Sequence, residues 1–126
     1  PAGANQVLSF LLNGSEPAHF VVGLNDRYAD GTDISWIWDS DFEKLQTMGN
    51  RLSGITVTGI RAAELAMRFK YAGIPTEKIR LLSDYKQLLE TVIAEKTPVY
   101  IMPTYTAMLE IREVLSRDYS FKEFWK

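Results

Sequence analysis

Gly54-Ile-Thr-Val-Thr-Gly-Ile-Arg-Ala-Ala-Glu-Leu-Ala-Met-Arg-Phe-Lys-Tyr-Ala-Gly-Ile-Pro75 places a strand, a turn and a helix in one short run. Gly54 to Thr58 is dense in β-branched residues, which suit a pleated, buried surface better than a helix. From Arg61 to Ala72 the apolar residues Ala62, Leu65, Ala66, Phe69 and Ala72 recur at helical spacing, and Gly73 and Pro75 supply a stop.

The same alternation continues outward in both directions. Asn5 to Leu12 reads as a short helix ended by Asn13-Gly14, and Phe20 to Leu24 as a buried strand opening into a polar loop at Asn25-Asp26. Ser40-Asp41-Phe42-Glu43 has the spacing of a capping box and predicts a short helix to about Met48. Further on, Ile79 to Leu82 is a strand candidate. Asp84 to Glu95 is a helix capped by Asp84, with Leu88, Leu89, Val92 and Ile93 on one face. Val99 to Met102 gives a fourth strand, and Ala107, Met108, Ile111, Val114 and Leu115 mark a last helix. Strands separated by helical stretches of about a dozen residues are βαβ units. The expected fold is therefore an α/β, Rossmann-like sandwich with a mostly parallel sheet of at least four strands and flanking helices. The domain is assigned to residues 1–117 and an aromatic, charged tail to 118–126, either a helical turn packing back or a frayed end.

Composition narrows the chemistry. The chain has 126 residues, 46% hydrophobic and 24% charged, which suits one folded domain and excludes a disordered segment. With no cysteine, a disulfide framework, a thiolate zinc site, an iron-sulfur cluster and an internal cysteine nucleophile are all excluded. The lone histidine, His19, lies just before a strand and is expected to be structural, and no multi-histidine metal site can form. Net charge is −2, with three basic against seven acidic residues in positions 1–60 and eleven against nine afterwards. Nucleic acid is an unsuitable partner for that balance. No apolar run is long enough to span a bilayer, and Pro1 to Gly14 lacks a signal peptide's pattern, so a cytoplasmic domain is expected. Opening on proline without an initiator methionine, the chain is expected to be part of something longer. Walker-type, GxGxxG and GxSxG motifs are absent.

Ligands of open α/β sheets bind at the carboxyl ends of the strands. The first such segment, Leu24-Asn-Asp-Arg-Tyr-Ala-Asp-Gly-Thr-Asp33, carries Asp26, Asp30 and Asp33, followed by Ile34-Ser-Trp-Ile-Trp-Asp39. A calcium loop counted from Asp26 fails, with Tyr28 third and Ile37 twelfth instead of a bidentate glutamate. Asn25, Asp26, Asp30 and Gly31 also read simply as turn formers. Asp33 directly precedes an aromatic run that fixes its backbone. Asp39, Asp41 and Glu43 are assigned to helix initiation. Trp36 and Trp38 share a face if the segment is extended, as core or interface aromatics. Thr58-Gly59-Ile60-Arg61 forms a strand-to-helix turn that either holds an anion on free amides or merely turns, with Arg61 pairing Glu64.

Leu24-Asn-Asp-Arg-Tyr-Ala-Asp-Gly-Thr-Asp-Ile-Ser-Trp-Ile-Trp-Asp-Ser-Asp-Phe-Glu43, Thr56-Val-Thr-Gly-Ile-Arg-Ala-Ala-Glu-Leu65 and Pro103-Thr-Tyr-Thr-Ala-Met-Leu109 resemble the C-terminal domain of the MurT family. These are the Mur-ligase-like subunits of bacterial lipid II isoglutaminyl synthase. The resemblance runs from about Pro1 to Leu115, and Pro1-Ala-Gly-Ala-Asn5 is similar to the start of that domain just after an Asn-Pro motif. It implies a two-protein amidating enzyme of peptidoglycan synthesis, acting at the inner face of the bacterial membrane. A GatD-type glutaminase releases ammonia with its own cysteine and histidine. The ligase subunit uses ATP and Mg to activate the D-glutamate α-carboxyl of lipid II.

By the same resemblance, an aspartate of the Asp-Gly-x-Asp stretch, here Asp33, joins the partner's Cys-His pair, with Asp26 and Asp30 as alternatives. Asn25, Asp26, Asp30, Trp36, Trp38, Arg61 and Tyr105 are then candidate partner or cleft contacts. The ATP-binding central domain and the cysteine-rich ribbon of such proteins are not in this sequence, so no cofactor is expected on this chain, and the chain alone is expected to be inactive. A competing reading from the residues is a stand-alone Rossmann-like module that binds a cation or small ligand at its acidic loop. A purely structural role for that loop is a third.

Overall fold

Four short runs pair side by side in one sheet, and a central one, largely apolar and buried along its length, is covered by helices on two sides. They are β1 (Ala18–Gly23), β2 (Leu52–Thr58), β3 (Ile79–Leu81) and β4 (Val99–Pro103). In the computed structural model, which describes residues 2–118, the sheet order is β3-β2-β1-β4 and every neighbouring pair is parallel. The expected α/β, Rossmann-like sandwich is the fold observed. The aromatic tail beyond Asp118 lies outside the described residues.

The helices are α1 (Ala2–Asn13), a single turn α2 (Trp36–Asp39), α3 (Ala62–Tyr71), α4 (Tyr85–Ile93) and α5 (Tyr105–Asp118). Asp84 caps α4 as predicted, its carboxylate accepting from the Lys86 amide at 3.0 Å. α3 ends where Gly73 takes a positive φ of 86°. The predicted capping box at Ser40 and Glu43 does not form. Ser40 Oγ instead donates back to the Trp36 carbonyl, Glu43 binds Arg68, and Phe42–Arg51 winds as 3-10 turns. A tertiary partner outcompeted the local one, because a bidentate guanidinium-carboxylate contact is stronger than a single amide cap.

Side-chain alternation divides the core into two layers. Phe20 and Val22 of β1 share a face with their register partners Ile55 and Val57 of β2, and Leu8, Leu11, Leu45, Leu65 and Phe69 pack over them. Phe69 makes edge contacts with Phe20 and Phe42, centroids 6.4 and 4.9 Å apart. Each fully buried phenylalanine there contributes roughly 2 to 3 kcal/mol of apolar burial. On the opposite face Val21 meets Leu88, Leu89 and Val92 of α4 and Ile111 and Val114 of α5. Thus β1 to β2 to β3 crosses over one face, and the return from β3 to β4 crosses the other. The strand order reverses between β1 and β4, which makes that crevice the topological switch point.

His19 lies inside β1, not before it. It faces the second layer, where its Nε2 sits 2.7 Å from Thr56 Oγ1 and its Nδ1 3.6 Å from a Glu95 carboxylate oxygen. Desolvation is the largest influence on the ring and pushes its pKa below the ordinary 6.5, against the pull of Glu95 and with the help of Arg80.

Candidate functional site

The polar rim begins at the switch point, and Asn25 closes it. Asn25 is 1% exposed and directly follows Leu24 at the end of β1. Its main-chain amide donates to Thr104 Oγ1 at 2.9 Å, and its Nδ2 donates to Thr106 Oγ1 at 2.9 Å and Glu110 Oε1 at 3.0 Å. Its Oδ1 accepts from the Ile60 amide at 2.8 Å. One residue therefore ties together the segment after β1, the turn after β2 and the start of α5, and it occupies the crevice where such sheets usually admit a ligand. Asn25 was expected as a partner or cleft contact. It is internal, because a buried amide must satisfy all its donors and acceptors within the fold. Beside it, a cleft of about 390 Å³ lies between Gly23, Trp36, Met102 and Thr104, against the first residues of α1.

The three aspartates of the loop meet three different fates. Asp26 pairs with Arg61, Oδ2 to Nε 3.2 Å, and Arg61 also reaches Glu64 at 3.4 Å as its spacing predicted. Asp30 turns inward: Thr106 donates its amide to Oδ1 at 2.7 Å and its hydroxyl to Oδ2 at 2.6 Å, and the Arg27 amide adds 3.1 Å to Oδ2. Partial burial pushes the Asp30 carboxyl upward, but these hydrogen bonds and the Arg27 charge outweigh it and hold its pKa below the usual 3.8. Asp33 is exposed, and among the described residues the bonds it accepts are local, the Ser35 amide reaching Oδ1 at 2.8 Å. That amide first, and the Ser35 hydroxyl second, lower its pKa as well. Asp33 is consequently ionised at neutral pH, with hydrogen-bonding capacity facing solvent.

After Asp33 the chain enters α2, which changes the reading of the tryptophans. In a helical turn, residues two apart point in nearly opposite directions, so Trp36 and Trp38 do not share a face. Trp36 is half-buried at the cleft, Ile37 is buried, and the exposed Trp38 packs edge-on against Tyr71, centroids 5.6 Å apart. Arg68 of α3, 1% exposed, holds this turn in place. Its Nε donates to the Ile37 carbonyl at 2.6 Å, Nη2 to the Ser40 carbonyl at 2.8 Å, and Nη1 and Nη2 to the two Glu43 oxygens at 2.8 Å each. The guanidinium also lies over Trp38 and Phe42, 5.3 and 5.4 Å from the ring centroids. The Arg68 hydrogen bonds are the largest influence on Glu43 and lower its pKa.

The turn after β2 does not offer an anion site. Gly59, at φ 96°, passes so close to Leu24 that a Cβ there would lie 2.5 Å from the Leu24 carbonyl oxygen. The amides that follow are taken: Ile60 by Asn25, Arg61 by the Leu24 carbonyl and Ala62 by the Gly59 carbonyl. Of the two alternatives for this turn, tight chain passage is the one observed. Among the described residues, no three histidine, aspartate or glutamate side chains converge to hold a metal ion.

Sequence reasoning did not find Thr106, Glu110, Tyr85 or Arg68. Thr106 and Glu110 stand four residues apart on α5, and no local pattern marks them as partners of Asn25 and Asp30. Glu110 gathers Asn25 and Tyr85 on Oε1 and Arg27 on Oε2 at 3.1 Å. Burial first, and the Glu110 carboxylate second, push the Tyr85 hydroxyl up to about 12. Around this network the rim exposes Tyr28 (95%) after β1, Ile60 (56%) after β2 and Tyr105 (54%) at the start of α5. Tyr105, Arg61 and Asp26 thus lie on the rim as candidate contacts, together with two apolar residues, Tyr28 and Ile60, that the sequence did not single out.

A parallel four-stranded sheet flanked by helices, with its polar apparatus on the carboxyl rim, defines an α/β domain of the Mur ligase C-terminal type. More narrowly, the family described as MurT ligase C-terminal matches residues 1–108, and the chain belongs to it. It is 42% identical over 117 residues to "Lipid II isoglutaminyl synthase (glutamine-hydrolyzing) subunit MurT" of Streptococcus pneumoniae (strain ATCC BAA-255 / R6), which covers 92% of this chain and 26% of that protein. The protein of the same description from Staphylococcus aureus (strain COL) is 39% identical over 119 residues, covering 94% of this chain and 26% of the relative. The chain spans about a quarter of the length of the curated relatives it matches.

Proposed function

We propose that this domain serves a MurT-type ligase subunit as the docking platform for a GatD-type glutaminase, and that Asp33 completes the partner's Cys-His pair. The observation that carries this reading is the contrast among the three carboxylates. Asp26 is bound to Arg61 and Asp30 to Thr106, while Asp33 stands exposed, ionised and, among the described residues, held by Ser35 alone. The chain has no cysteine, and its one histidine is buried in the sheet, so glutamine hydrolysis would need both groups from outside this chain. A carboxylate accepting the Nδ1–H of a catalytic histidine fixes its tautomer, leaves Nε2 to take the thiol proton, and stabilises the imidazolium that results. Tyr28, Ile60 and Tyr105, with the charges of Arg61 and Asp26, provide the apolar and polar elements of a docking rim.

In this reading the complex amidates the D-glutamate α-carboxyl of lipid II to D-isoglutamine at the cytoplasmic face of the membrane, with ATP and Mg used by the rest of the subunit. Two features support placing those cofactors elsewhere in the subunit: the strand-to-helix turn has its amides occupied, and among the described residues no three histidine, aspartate or glutamate side chains converge on a metal site. The isolated chain is accordingly expected to be inactive. The test is reconstitution of the full-length subunit with its glutaminase. Asp33→Asn is expected to reduce glutamine hydrolysis by two orders of magnitude or more, as misorientation of a triad histidine does. Unchanged hydrolysis and amidation would rule the assignment out.

A further inference from the structure

We infer that Asp30 is a positioning residue: its carboxylate clamps the loop after β1 onto the amino end of α5, and so holds Asp33 at the rim before any partner docks. The inference rests on the reading of Asp33 given above and extends it. Both Asp30 oxygens are committed. Oδ1 receives the Thr106 amide at 2.7 Å, and Oδ2 receives the Thr106 hydroxyl at 2.6 Å and the Arg27 amide at 3.1 Å. Three of the carboxylate's roughly four acceptor sites are thereby taken within the fold, and swinging it out toward a partner's histidine would pull it off the donors at the start of α5.

The clamp has a defined mechanical consequence. The Thr106 hydroxyl also accepts from Asn25 Nδ2, so the residue that begins the loop and the one that ends its first turn are gathered on one threonine. Between them the chain makes a closed turn, with the Asp30 amide bonded to the Arg27 carbonyl at 2.9 Å and the Gly31 amide to the Tyr28 carbonyl at 3.2 Å. Gly31 then takes φ 83°, a conformation open to glycine at no steric cost, and ends the turn two residues before Asp33. Downstream, Arg68 fixes the carbonyls of Ile37 and Ser40. Asp33 therefore lies on a short span anchored at both ends, one anchor on α5 and the other on α3. Holding a catalytic group in place beforehand raises the rate of the chemical step without strengthening substrate binding.

The experiment uses the full-length subunit reconstituted with its glutaminase. Asp30→Ala is expected to lower kcat for glutamine hydrolysis on the order of ten- to a hundredfold, with KM for glutamine unchanged. Thr106→Val, which keeps the amide but removes the hydroxyl, should lose part of this rate, and Thr106→Ser should restore most of it. Because Asp30 acts through Asp33, adding Asp30→Ala to Asp33→Asn should change kcat less than about twofold. A multiplicative further loss in the double variant would overturn the inference, as would a rise in KM with kcat intact. Amide hydrogen exchange at Thr106 and Ser35 reads the clamp without turnover. Both amides should exchange faster in Asp30→Ala, and unchanged exchange at Ser35 would sink the positioning role. If Asp33→Asn alone leaves hydrolysis intact, the assignment of Asp33 fails, while the exchange measurement still decides whether Asp30 holds the loop.

Discussion

Removing the Arg68 guanidinium tests whether main-chain acceptors or the ion pair hold the segment that follows Asp33. Arg68 makes four hydrogen bonds, two to the carbonyls of Ile37 and Ser40 and two to Glu43. Glu43 is half-exposed, so its carboxylate regains water when the pair is broken, and Glu43→Gln should destabilise by only ~1 kcal/mol. The two carbonyls have no such recourse. They are part of the backbone and cannot be mutated away, and each loses its partner in Arg68→Met at roughly 1 to 2 kcal/mol. With the Glu43 contact added and some apolar gain from methionine deducted, Arg68→Met should lose ~3 kcal/mol. Arg68→Lys, whose ammonium cannot span both carbonyls and the carboxylate at once, should lose ~2 kcal/mol. Replacing an entire buried ionic group by apolar residues is often neutral or stabilising, but that outcome requires removing the acceptors too. Urea unfolding of the chain provides the assay, with midpoints compared at constant slope. Equal losses for Arg68→Met and Glu43→Gln would refute the carbonyl argument and place the stabilisation in the ion pair.

Two further outcomes follow from single positions. Gly59→Ala places a Cβ 2.5 Å from the Leu24 carbonyl oxygen at a positive φ, and should destabilise by ~2 kcal/mol or more, read as a lowered thermal midpoint. Tyr85 has its folded pKa raised to about 12 from 10.0, so the stability linked to it is complete below pH 10 and is lost as pH rises from there toward 12. Tyr85→Phe should remove that alkaline loss and the latest-titrating phase of tyrosinate absorbance, and persistence of that phase would contradict the assignment.

Much of the architecture was readable along the chain because it rests on local rules. The helix at Ala62–Tyr71 follows from the spacing of Leu65 and Phe69 and the stop at Gly73, and the helix at Tyr85–Ile93 from the Asp84 cap. Parallel strands follow from the length of the intervening helices. Local reading failed where a distant group made a better offer. Ser40 and Glu43 have capping-box spacing, but Arg68, twenty-five residues beyond Glu43, takes the glutamate. Trp36 and Trp38 alternate like a strand, but a buried Ile37 and the Arg68 contact to its carbonyl favour a helical turn. His19 was read correctly as structural and was placed one residue too early relative to its strand.

By itself, then, the sequence determined that this is an α/β domain with no thiol and one histidine, carrying an acidic loop at a strand end and the motifs of the MurT family. Those are properties of composition, periodicity and order, and they survive without coordinates. Only the tertiary structure gave the three aspartates their different partners. Asp26, Asp30 and Asp33 share one loop, and in the sequence Asp33 stands apart only by its place before the aromatic run and by the family resemblance. What distinguishes them is a helix some seventy residues later, which brings Thr106 to Asp30, and the turn after β2, which brings Arg61 to Asp26. An ion pair or hydrogen bond within the fold fixes where a carboxylate points, and those partners come from segments far apart in the sequence.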